Sequence, residues 1–282
     1  MTEEKTMIAF QGEAGAYSEA AAIAFFGEQV TTLPCPSFND IFTSVINRTA
    51  TYGLIPIENS LAGSIHRNYD LMLRYDLHIF GEYHLRVSHC LMALPGVKLS
   101  EVRTVHSHPQ ALAQCDQHIN ELGFQSIVEA DTAGSARMLR EKDMRQAAAI
   151  ASKRAAEVYH LHVLKKNMED NPANYTRFLA LSNTLPDQEE NKDIRYKTSL
   201  VFSLKNEPGI LYRALGAFAA RGIDLTKIES RPIAGKPWEY MFYIDFTGHQ
   251  NNPEIKPAII ELKAMAQYFK ILGCYPRHIL EY

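Results

Sequence analysis

The chain of 282 residues lacks the features that mark membrane, secreted and nucleic-acid-binding proteins. No apolar run is long enough to cross a bilayer, and the polar start Met1–Thr6 does not have the composition of a signal peptide. No basic tract is present, and the formal net charge is -3. We therefore expect neither a membrane nor a nucleic-acid partner.

Cysteine is scarce, and its spacing excludes the common cysteine motifs. The four cysteines are far apart, which argues against a zinc ribbon or a thioredoxin-type motif: Cys35, Cys90, Cys115 and Cys274. The pairs His106/His108 and His160/His162 have ligand-like spacing, but no third cluster of ligands accompanies them. We expect free thiols, a cytoplasmic location, and no metal.

The remaining composition is that of a soluble globular protein, with 46% hydrophobic and 22% charged residues. The length suits one large domain and one smaller domain. Thr6–Phe10 and Gly53–Ile57 are typical of buried strands, and each precedes a glycine-containing turn and a helix, predicted at Ser18–Phe26 and Ile65–Tyr75. This alternation predicts an α/β fold with largely parallel strands.

A second α/β series follows. The predicted strands are Val102–Val105, Ser126–Val128 and Ala147–Ile150, and the predicted helices are Pro109–Leu122, Thr132–Arg140 and Ser152–Val158. Tyr175–Leu181 is typical of one more strand. The polar, acidic stretch Pro186–Asp193 then predicts a linker between two domains.

Beyond this linker the order of elements changes to a βαββαβ plan. Its predicted elements are strand Thr198–Leu204, helix Gly209–Arg221, strand Asp224–Arg231, strand Tyr240–Phe246, helix Pro253–Phe269 and strand Ile271–Leu280. With both helices on one face of the sheet, the other face should be free for a partner. We therefore expect self-association.

Four segments resemble the prephenate dehydratase family: Phe10–Ser18, Pro56–Ser64, His106–Leu112 and Asn174–Phe178. The resemblance implies a two-lobed catalytic domain, similar to type II periplasmic binding proteins, over residues 1–185. Its lobes would be 1–82 plus 175–185, and 83–174, with the active site between them. A linker at 186–196 and a regulatory domain at 197–282 would follow.

The regulatory segment resembles the ACT domain, an α+β ferredoxin-like fold, at Asn206–Leu211 and Ile228–Pro232. The resemblance implies that L-phenylalanine binds there as an allosteric inhibitor, and that the protein is a homodimer or homotetramer through this domain. The implied effector-binding residues are Asn206, Pro208, Gly209, Ile210, Leu211, Glu229, Ser230 and Arg231. For Glu229 and Arg231, a surface ion pair at a strand end is the alternative.

The implied activity is conversion of prephenate to phenylpyruvate with loss of water and CO2, without a cofactor, in phenylalanine biosynthesis. By resemblance, Thr176 lies at the leaving hydroxyl, where a hydrogen-bond donor is needed. The other implied catalytic residues are Glu58, Asn59 and Ser64. Glu58 is either an acid partner, if burial raises its pKa, or a structural carboxylate.

The substrate would be a dianion, and the glycine turns before helices would offer it unpaired backbone N–H groups. The implied substrate-binding residues are Gly15, Ser18, Ser60, Gly63, Arg177 and Phe178. Alternatives stay open: turn and cap roles for the glycines and serines, an interlobe salt bridge for Arg177, and plain core for Phe178.

Two other functions compete with prephenate dehydration. Arogenate dehydratase performs the same chemistry on a substrate that has an amino group in place of the keto group, and these residues do not separate the two activities. A non-catalytic amino-acid sensor is the second alternative, because both folds also serve in binding proteins. Thr176 argues against the sensor.

Overall fold

The computed structural model describes residues 6–184, 191 and 193–279, so much of the predicted linker at 186–196 lies outside the described residues. The helices are α1 (Tyr17–Phe26), α2 (Phe38–Ile46), α3 (His66–Arg74), α4 (Pro109–Gln114), α5 (Asp116–Glu121), α6 (Thr132–Glu141), α7 (Lys153–Val158), α8 (Ile210–Ala219) and α9 (Lys256–Met265). A 3₁₀ helix spans Leu99–Glu101. None of the helices in this described part combines the length and apolar character that crossing a bilayer requires.

The strands form three sheets. They are β1 (Met7–Gln11), β2 (Thr31–Cys35), β3 (Tyr52–Asn59), β4 (Gly63–Ser64), β5 (His78–Arg86), β6 (Cys90–Ala93), β7 (Thr104–Ser107), β8 (Gln125–Val128), β9 (Ala147–Ala151), β10 (His162–Lys165), β11 (Tyr175–Ser182), β12 (Tyr196–Leu204), β13 (Leu225–Ile233), β14 (Lys236–Thr247) and β15 (Ala266–Pro276). The strand orders are β2-β1-β3-β11-β5 with β4 beside β3, β10-β6-β9-β7-β8, and β13-β14-β12-β15. Because β1 is parallel to β2 and β3, and β7 to β8 and β9, the predicted α/β class is confirmed.

Two compact units divide the chain. One unit contains the residues up to Asn68 together with Tyr83–Phe178, and the other contains Tyr69–Glu82 together with the residues from Leu179 onward. The predicted domains differ from these units, because the short segment Tyr69–Glu82 groups with the C-terminal residues. We call the two units the N-terminal unit and the C-terminal unit.

In the N-terminal unit, the chain leaves the first sheet between β5 and β6 and returns to it between β10 and β11. The second sheet packs its all-buried strand β9 in an apolar core that includes Leu91, Val105 and Leu139. The two sheets are therefore the centres of two lobes.

Sequence reasoning missed β2 and α2, which lie between the predicted α1 and β3. Helix α2 begins at a capping box in which the Ser37 hydroxyl accepts from Asp40 N and the Asp40 carboxylate accepts from Ser37 N. The predicted helix Pro109–Leu122 is in fact two helices, α4 and α5, that meet at Cys115.

In the C-terminal unit, α8 and α9 pack on one face of the third sheet, as the βαββαβ plan predicts. The expectation that the other face is free is wrong. All nine residues of β12 are buried, so both faces of this strand are covered. Residues of the segment Tyr69–Glu82 contact that face: the Tyr243 hydroxyl donates to Tyr69 O at 2.9 Å, and Lys197 Nζ lies 2.8 Å from a Glu82 carboxylate oxygen.

Helix α9 ends earlier than the sequence predicts. The predicted helix Pro253–Phe269 ends at Met265, and β15 begins at the next residue. Tyr268, Phe269 and Lys270 pair with β12 in an antiparallel register. The apolar stripe of the helix therefore continues into a strand, which periodicity over a few residues does not distinguish.

Candidate active site

The N-terminal unit contains a cavity of about 260 Å³ to which both lobes contribute. Its lining is Tyr17, Ser18, Pro56, Asn59, Ala62, Gly63, Ser64, Ile65, Val87, His89, His108, Gln110, Ala111, Gln114, Thr132, Thr176 and Phe178. The first sheet contributes the end of β3 and the start of β11, and the second sheet contributes the loops that lead into its helices.

Helix N-termini surround this cavity. Tyr17 and Ser18 open α1, Ser64 and Ile65 immediately precede α3, and Thr132 opens α6. Among the described residues of the lining there is no Lys, Arg, Asp or Glu. Backbone N–H groups at helix starts carry partial positive charge and bind anions. An anionic ligand would therefore be held here by backbone and neutral side-chain donors.

Thr176 lies in the cavity with Asn59, whose amide orientation follows from the backbone. Asn59 Oδ1 accepts hydrogen bonds from Leu61 N at 3.0 Å and Ala62 N at 2.9 Å. The Nδ2 group must then point the other way, where it donates to Thr176 Oγ1 at 3.0 Å and Asn174 Oδ1 at 2.8 Å. Because Thr176 Oγ1 accepts from Asn59, its own hydroxyl proton is available to a ligand in the cavity.

The same reasoning extends along a chain of side chains. Asn174 Oδ1 faces Asn59, so Asn174 Nδ2 donates to Gln114 Oε1 at 3.1 Å. Gln114 Oε1 also lies 2.9 Å from His89 Nε2, and His89 Nδ1 lies 2.7 Å from the Tyr17 hydroxyl. We call these six side chains, Tyr17, His89, Gln114, Asn174, Asn59 and Thr176, the polar chain.

Burial sets the ionisation of the two titratable members of the polar chain. Burial raises the pKa of Tyr17 well above its usual value, and the neighbouring Cys90, Cys115 and Glu169 act in the same direction. Burial also lowers the pKa of His89, against the opposing effects of the Gln114 hydrogen bond and the Glu169 carboxylate. At neutral pH Tyr17 is therefore a hydroxyl donor, and the neutral form of the His89 ring is favoured.

Six of the residues implied by the sequence resemblance lie on the cavity: Ser18, Asn59, Gly63, Ser64, Thr176 and Phe178. Phe178 is also 1% exposed, so it is both cavity wall and core. The remaining four, Gly15, Glu58, Ser60 and Arg177, are not on the lining.

Gly15 makes one contact within its own lobe and others with the second lobe. Its N–H donates to the buried Glu19 carboxylate at 2.6 Å, and its carbonyl accepts from the Ser152 hydroxyl. A Cβ at this position, where φ is +89°, would lie 2.7 Å from Ala155 Cα. Glycine is therefore required by backbone conformation and by close packing.

Local backbone geometry accounts for the other three. The Ser60 hydroxyl donates to Ala173 O at 2.8 Å and accepts from Tyr175 N at 2.9 Å, which ties the turn after β3 to the chain entering β11. Arg177 is 7% exposed, and strand alternation directs it away from the face of Thr176. Strand alternation likewise directs the Glu58 side chain to the face of β3 opposite that of Asn59.

Of the implied effector-binding residues, Asn206, Gly209, Ile210 and Leu211 line a separate cavity of about 200 Å³ in the C-terminal unit. Gly209 is the N-cap of α8 and adopts a φ of +76°. Trp238, Tyr240 and Phe242 also contribute to this lining.

Pro208, Glu229, Ser230 and Arg231 are not on that lining. Arg231 instead forms a two-point ion pair with Asp70, with Nε and Nη2 at 3.2 and 2.9 Å from the carboxylate oxygens. This pair differs from the alternative of a Glu229–Arg231 pair, since the partner of Arg231 here is Asp70, and Glu229 Oε2 lies 3.9 Å from Lys227 Nζ.

Sequence reasoning did not single out four members of the polar chain. Tyr17 and Asn174 stand inside the quoted motifs, so a signal for them was present. His89 and Gln114 are brought to the cavity by folding, since Tyr17 and His89 are 72 positions apart. No local pattern around His89 indicates that contact.

Comparisons with known proteins find relatives over nearly the whole chain. The family profile for prephenate dehydratase matches residues 8–185, and the profile for the ACT domain matches residues 198–264. The chain is 43% identical over 294 residues to the chloroplastic arogenate dehydratase/prephenate dehydratase 1 of Arabidopsis thaliana, covering 99% of this chain and 74% of that protein.

Two solved structures are similar over nearly the full length. Prephenate dehydratase from Arthrobacter aurescens in complex with L-Phe has a TM-score of 0.86 at 32% identity, covering 96% of this chain and 90% of that one. A protein described as GqqA, a novel type of quorum-quenching acylase, has a TM-score of 0.90 at 39% identity, covering 96% and 98%.

Proposed function

Because the chain belongs to the prephenate dehydratase family, in which relatives act on prephenate or arogenate by name, we propose that it converts prephenate to phenylpyruvate with loss of water and CO2. The observation that carries this proposal is the geometry of Thr176. Its Oγ1 accepts from Asn59, which leaves the hydroxyl proton free for a ligand in the cavity.

The reaction removes a ring hydroxide and a carboxylate together, so its barrier lies in the departure of hydroxide. A Thr hydroxyl is a very weak acid, and we assign it an oriented hydrogen bond to the leaving oxygen. Asn59 holds Thr176 in that orientation through the 3.0 Å bond. The aromatic ring that forms supplies the driving force, and no full proton transfer from Thr176 is required.

The two carboxylates of prephenate need hydrogen-bond donors in the cavity. The N-termini of α1 and α6 and the turn before α3 supply backbone N–H groups, and Ser18, Ser64 and Gln114 supply side-chain donors. Charge develops on the leaving oxygen during the reaction, so neutral donors fixed in advance stabilise it without reorganisation.

The lining also bears on the choice between the two substrates. Arogenate carries an ammonium group, and a buried ammonium group needs a carboxylate or several acceptors. No Asp or Glu is among the described residues of the lining, which favours the keto group of prephenate. The name of the Arabidopsis thaliana relative includes both activities, so arogenate dehydration is the second candidate.

Turnover of the two substrates by the purified protein tests this proposal. We expect phenylpyruvate from prephenate with a kcat/KM at least about tenfold above that for arogenate, the factor that 1.4 kcal/mol of differential binding gives. A preference for arogenate would contradict the substrate assignment. No turnover of either substrate would contradict the enzyme and favour the amino-acid sensor.

Acyl transfer is a less well supported activity for this cavity. Acyl transfer by a Ser or Thr nucleophile needs a base within hydrogen-bond reach. The His89 ring nitrogens face Tyr17 and Gln114, and Thr176 faces an amide. We therefore expect no hydrolysis of acyl amides, and an assay of acyl-amide breakdown by the purified protein checks this.

For the C-terminal unit we propose that L-phenylalanine binds the 200 Å³ cavity beside α8 and inhibits turnover. Support comes from the ACT profile and from the Arthrobacter aurescens protein, which is described in complex with L-Phe. The start of α8 offers N–H groups to a carboxylate, and Trp238 and Tyr240 offer aromatic surface.

Calorimetric titration with L-phenylalanine tests this site, with Asn206→Trp as the variant that fills it. Saturable binding that is lost in the variant would support the site, and equal binding by the variant would contradict it. We also propose a homodimer or homotetramer through this domain and a cytoplasmic location. Light scattering with and without L-phenylalanine measures the oligomer size, and a monomer at all concentrations would contradict the first of these.

A further inference from the structure

His89 occupies the cavity wall without any role in the chemistry described above. The residue lies between β5 and β6, where the chain passes from the first sheet to the second, and it is 2% exposed. Its backbone N–H donates to the Glu169 carboxylate at 2.8 Å. Its ring stands edge-on to the Tyr17 ring, with an interplanar angle of 88°. The imidazole is therefore held in place from several sides.

The ring nitrogen that faces the cavity wall contacts Gln114. Gln114 Oε1 lies 2.9 Å from His89 Nε2 and accepts from Asn174 Nδ2 at 3.1 Å. With Oε1 engaged twice, the Gln114 NH2 group points away from His89 and Asn174. No hydrogen bond from this NH2 group to another described residue is found, and Gln114 is on the cavity lining. This amide nitrogen thus offers two donors in a cavity whose described lining has no Lys or Arg.

We propose that His89 is a positioning residue, which holds the Gln114 amide with its NH2 group turned toward the carboxylates of the substrate. The proposal rests on the proposed function, since it concerns an anionic substrate in this cavity. An imidazole with its proton on Nδ1 would set the Nε2 lone pair against Gln114 Oε1. The amide would then rotate and turn its carbonyl oxygen toward the anion.

Gln114 sets the required form of the ring. Its Oε1, which accepts from Asn174 Nδ2, is also an acceptor for His89, so the proton lies on Nε2. In the neutral imidazole Nδ1 then accepts from the Tyr17 hydroxyl at 2.7 Å. In the protonated ring Nδ1–H donates to the Tyr17 oxygen, and the Tyr17 proton turns to Ser88 O at 3.1 Å. Nε2–H faces Gln114 in both states. The orientation of Gln114 is therefore independent of the protonation of His89.

A double-mutant cycle separates positioning from general structural support. We expect His89→Phe and Gln114→Leu each to lower kcat/KM about 10- to 100-fold, which is the contribution of one hydrogen bond to a charged group. Both variants should change the same kinetic parameter, either kcat or KM. In the Gln114→Leu background, His89→Phe should cost less than about threefold. His89→Gln, which keeps a donor at the position of Nε2, should regain most of the loss.

His118→Phe is the matched control, because it removes an imidazole bond to Asp170, 3.1 Å long, in the same lobe and outside the cavity lining. We expect its kcat/KM to stay within about twofold of the parent protein. Equal losses from His89→Phe with and without Gln114 would overturn the proposal, since the effect would then not pass through Gln114. Full activity of a folded His89→Phe protein would overturn it as well.

A readout independent of turnover uses protein labelled with ¹⁵N-histidine, in which the His89 signals are assigned by their loss in His89→Gln. We expect Nε2 to carry the proton and Nδ1 to be bare at neutral pH. The Nδ1–H form would overturn the proposal. If the parent protein turned over no prephenate, the proposed function would fail, and this spectrum would still decide the tautomer.

Discussion

Replacing Asn59 with Asp exchanges one NH2 group for one oxygen and should remove most of the activity. The parent side chain donates from Nδ2 to Asn174 Oδ1 at 2.8 Å, Thr176 Oγ1 at 3.0 Å and Tyr175 O at 3.2 Å. In Asn59→Asp these become contacts between acceptors. The Thr176 hydroxyl relieves its own contact by donating to the new carboxylate, so it no longer donates to the substrate.

The expected decrease in kcat corresponds to the removal of one hydrogen-bond donor at the leaving oxygen. Removing a single preorganised donor of this kind costs about 10²–10³ in kcat. An unsatisfied buried acceptor at Asn174 Oδ1 should add about 1 to 3 kcal/mol of destabilisation, whereas Tyr175 O keeps its bond from Ser60 N at 2.8 Å. Phenylpyruvate formation gives the first quantity and urea unfolding gives the second, with turnover measured where the variant is folded.

Asn120→Asp is the matched control, because it makes the same exchange at an exposed residue of α5, outside the cavity lining. We expect its kcat within about twofold of the parent value. A folded Asn59→Asp protein with kcat within tenfold of the parent value would refute the assigned direction of the Asn59–Thr176 hydrogen bond.

Three further predictions concern stability. Gly15→Ala should lower the free energy of unfolding by at least about 2 kcal/mol, through backbone strain at φ +89° and through the contact with Ala155. Gly27→Ala, at φ +90° with open space around the new Cβ, should lower it by less. Denaturant unfolding measures both values, and equal losses would contradict the role of the Ala155 contact. Lys197→Met should lower the free energy of unfolding by about 3 to 5 kcal/mol, because it removes the ammonium group 2.8 Å from the buried Glu82 carboxylate. Adding Glu82→Gln should recover part of this loss. A loss under about 1 kcal/mol by urea unfolding would contradict the prediction. Burial, opposed by the Gln114 hydrogen bond and Glu169, lowers the pKa of His89, so the unfolded chain binds a proton at this residue more readily than the folded protein does. The free energy of unfolding should therefore fall as the pH drops below about 6.5, and it should fall less in His89→Gln. Identical pH profiles of the two proteins would refute this prediction.

Much of the catalytic fold could be predicted from local pattern. Strand β1, strand β3 and the helices after them follow from apolar runs and glycine turns. Strand β2 could not be predicted in this way, because Thr31–Cys35 includes a proline and is partly exposed. The prediction that one face of the third sheet is free was wrong for a different reason. The residues that cover this face come from Tyr69–Glu82, more than a hundred positions before β12.

The candidate site was predictable only where a motif carried its residues. Thr176 and Asn59 stand in motifs that are more than a hundred positions apart, and the structure joins them by a single hydrogen bond. Gly15 also stands in a motif, yet its contacts are with Ser152 and Ala155. A motif therefore identified which residues matter at these positions, and tertiary packing determined what each one contacts.

The central claim is that the Thr176 hydroxyl donates to the leaving oxygen, and phenylpyruvate formation from prephenate by Thr176→Val and Thr176→Ser tests it most directly. Valine keeps the shape of threonine without the hydroxyl, and serine keeps the hydroxyl without the methyl group. We predict that kcat falls about 10²–10³-fold in Thr176→Val and stays within about tenfold in Thr176→Ser. A folded Thr176→Val protein that retains the parent kcat would contradict the account.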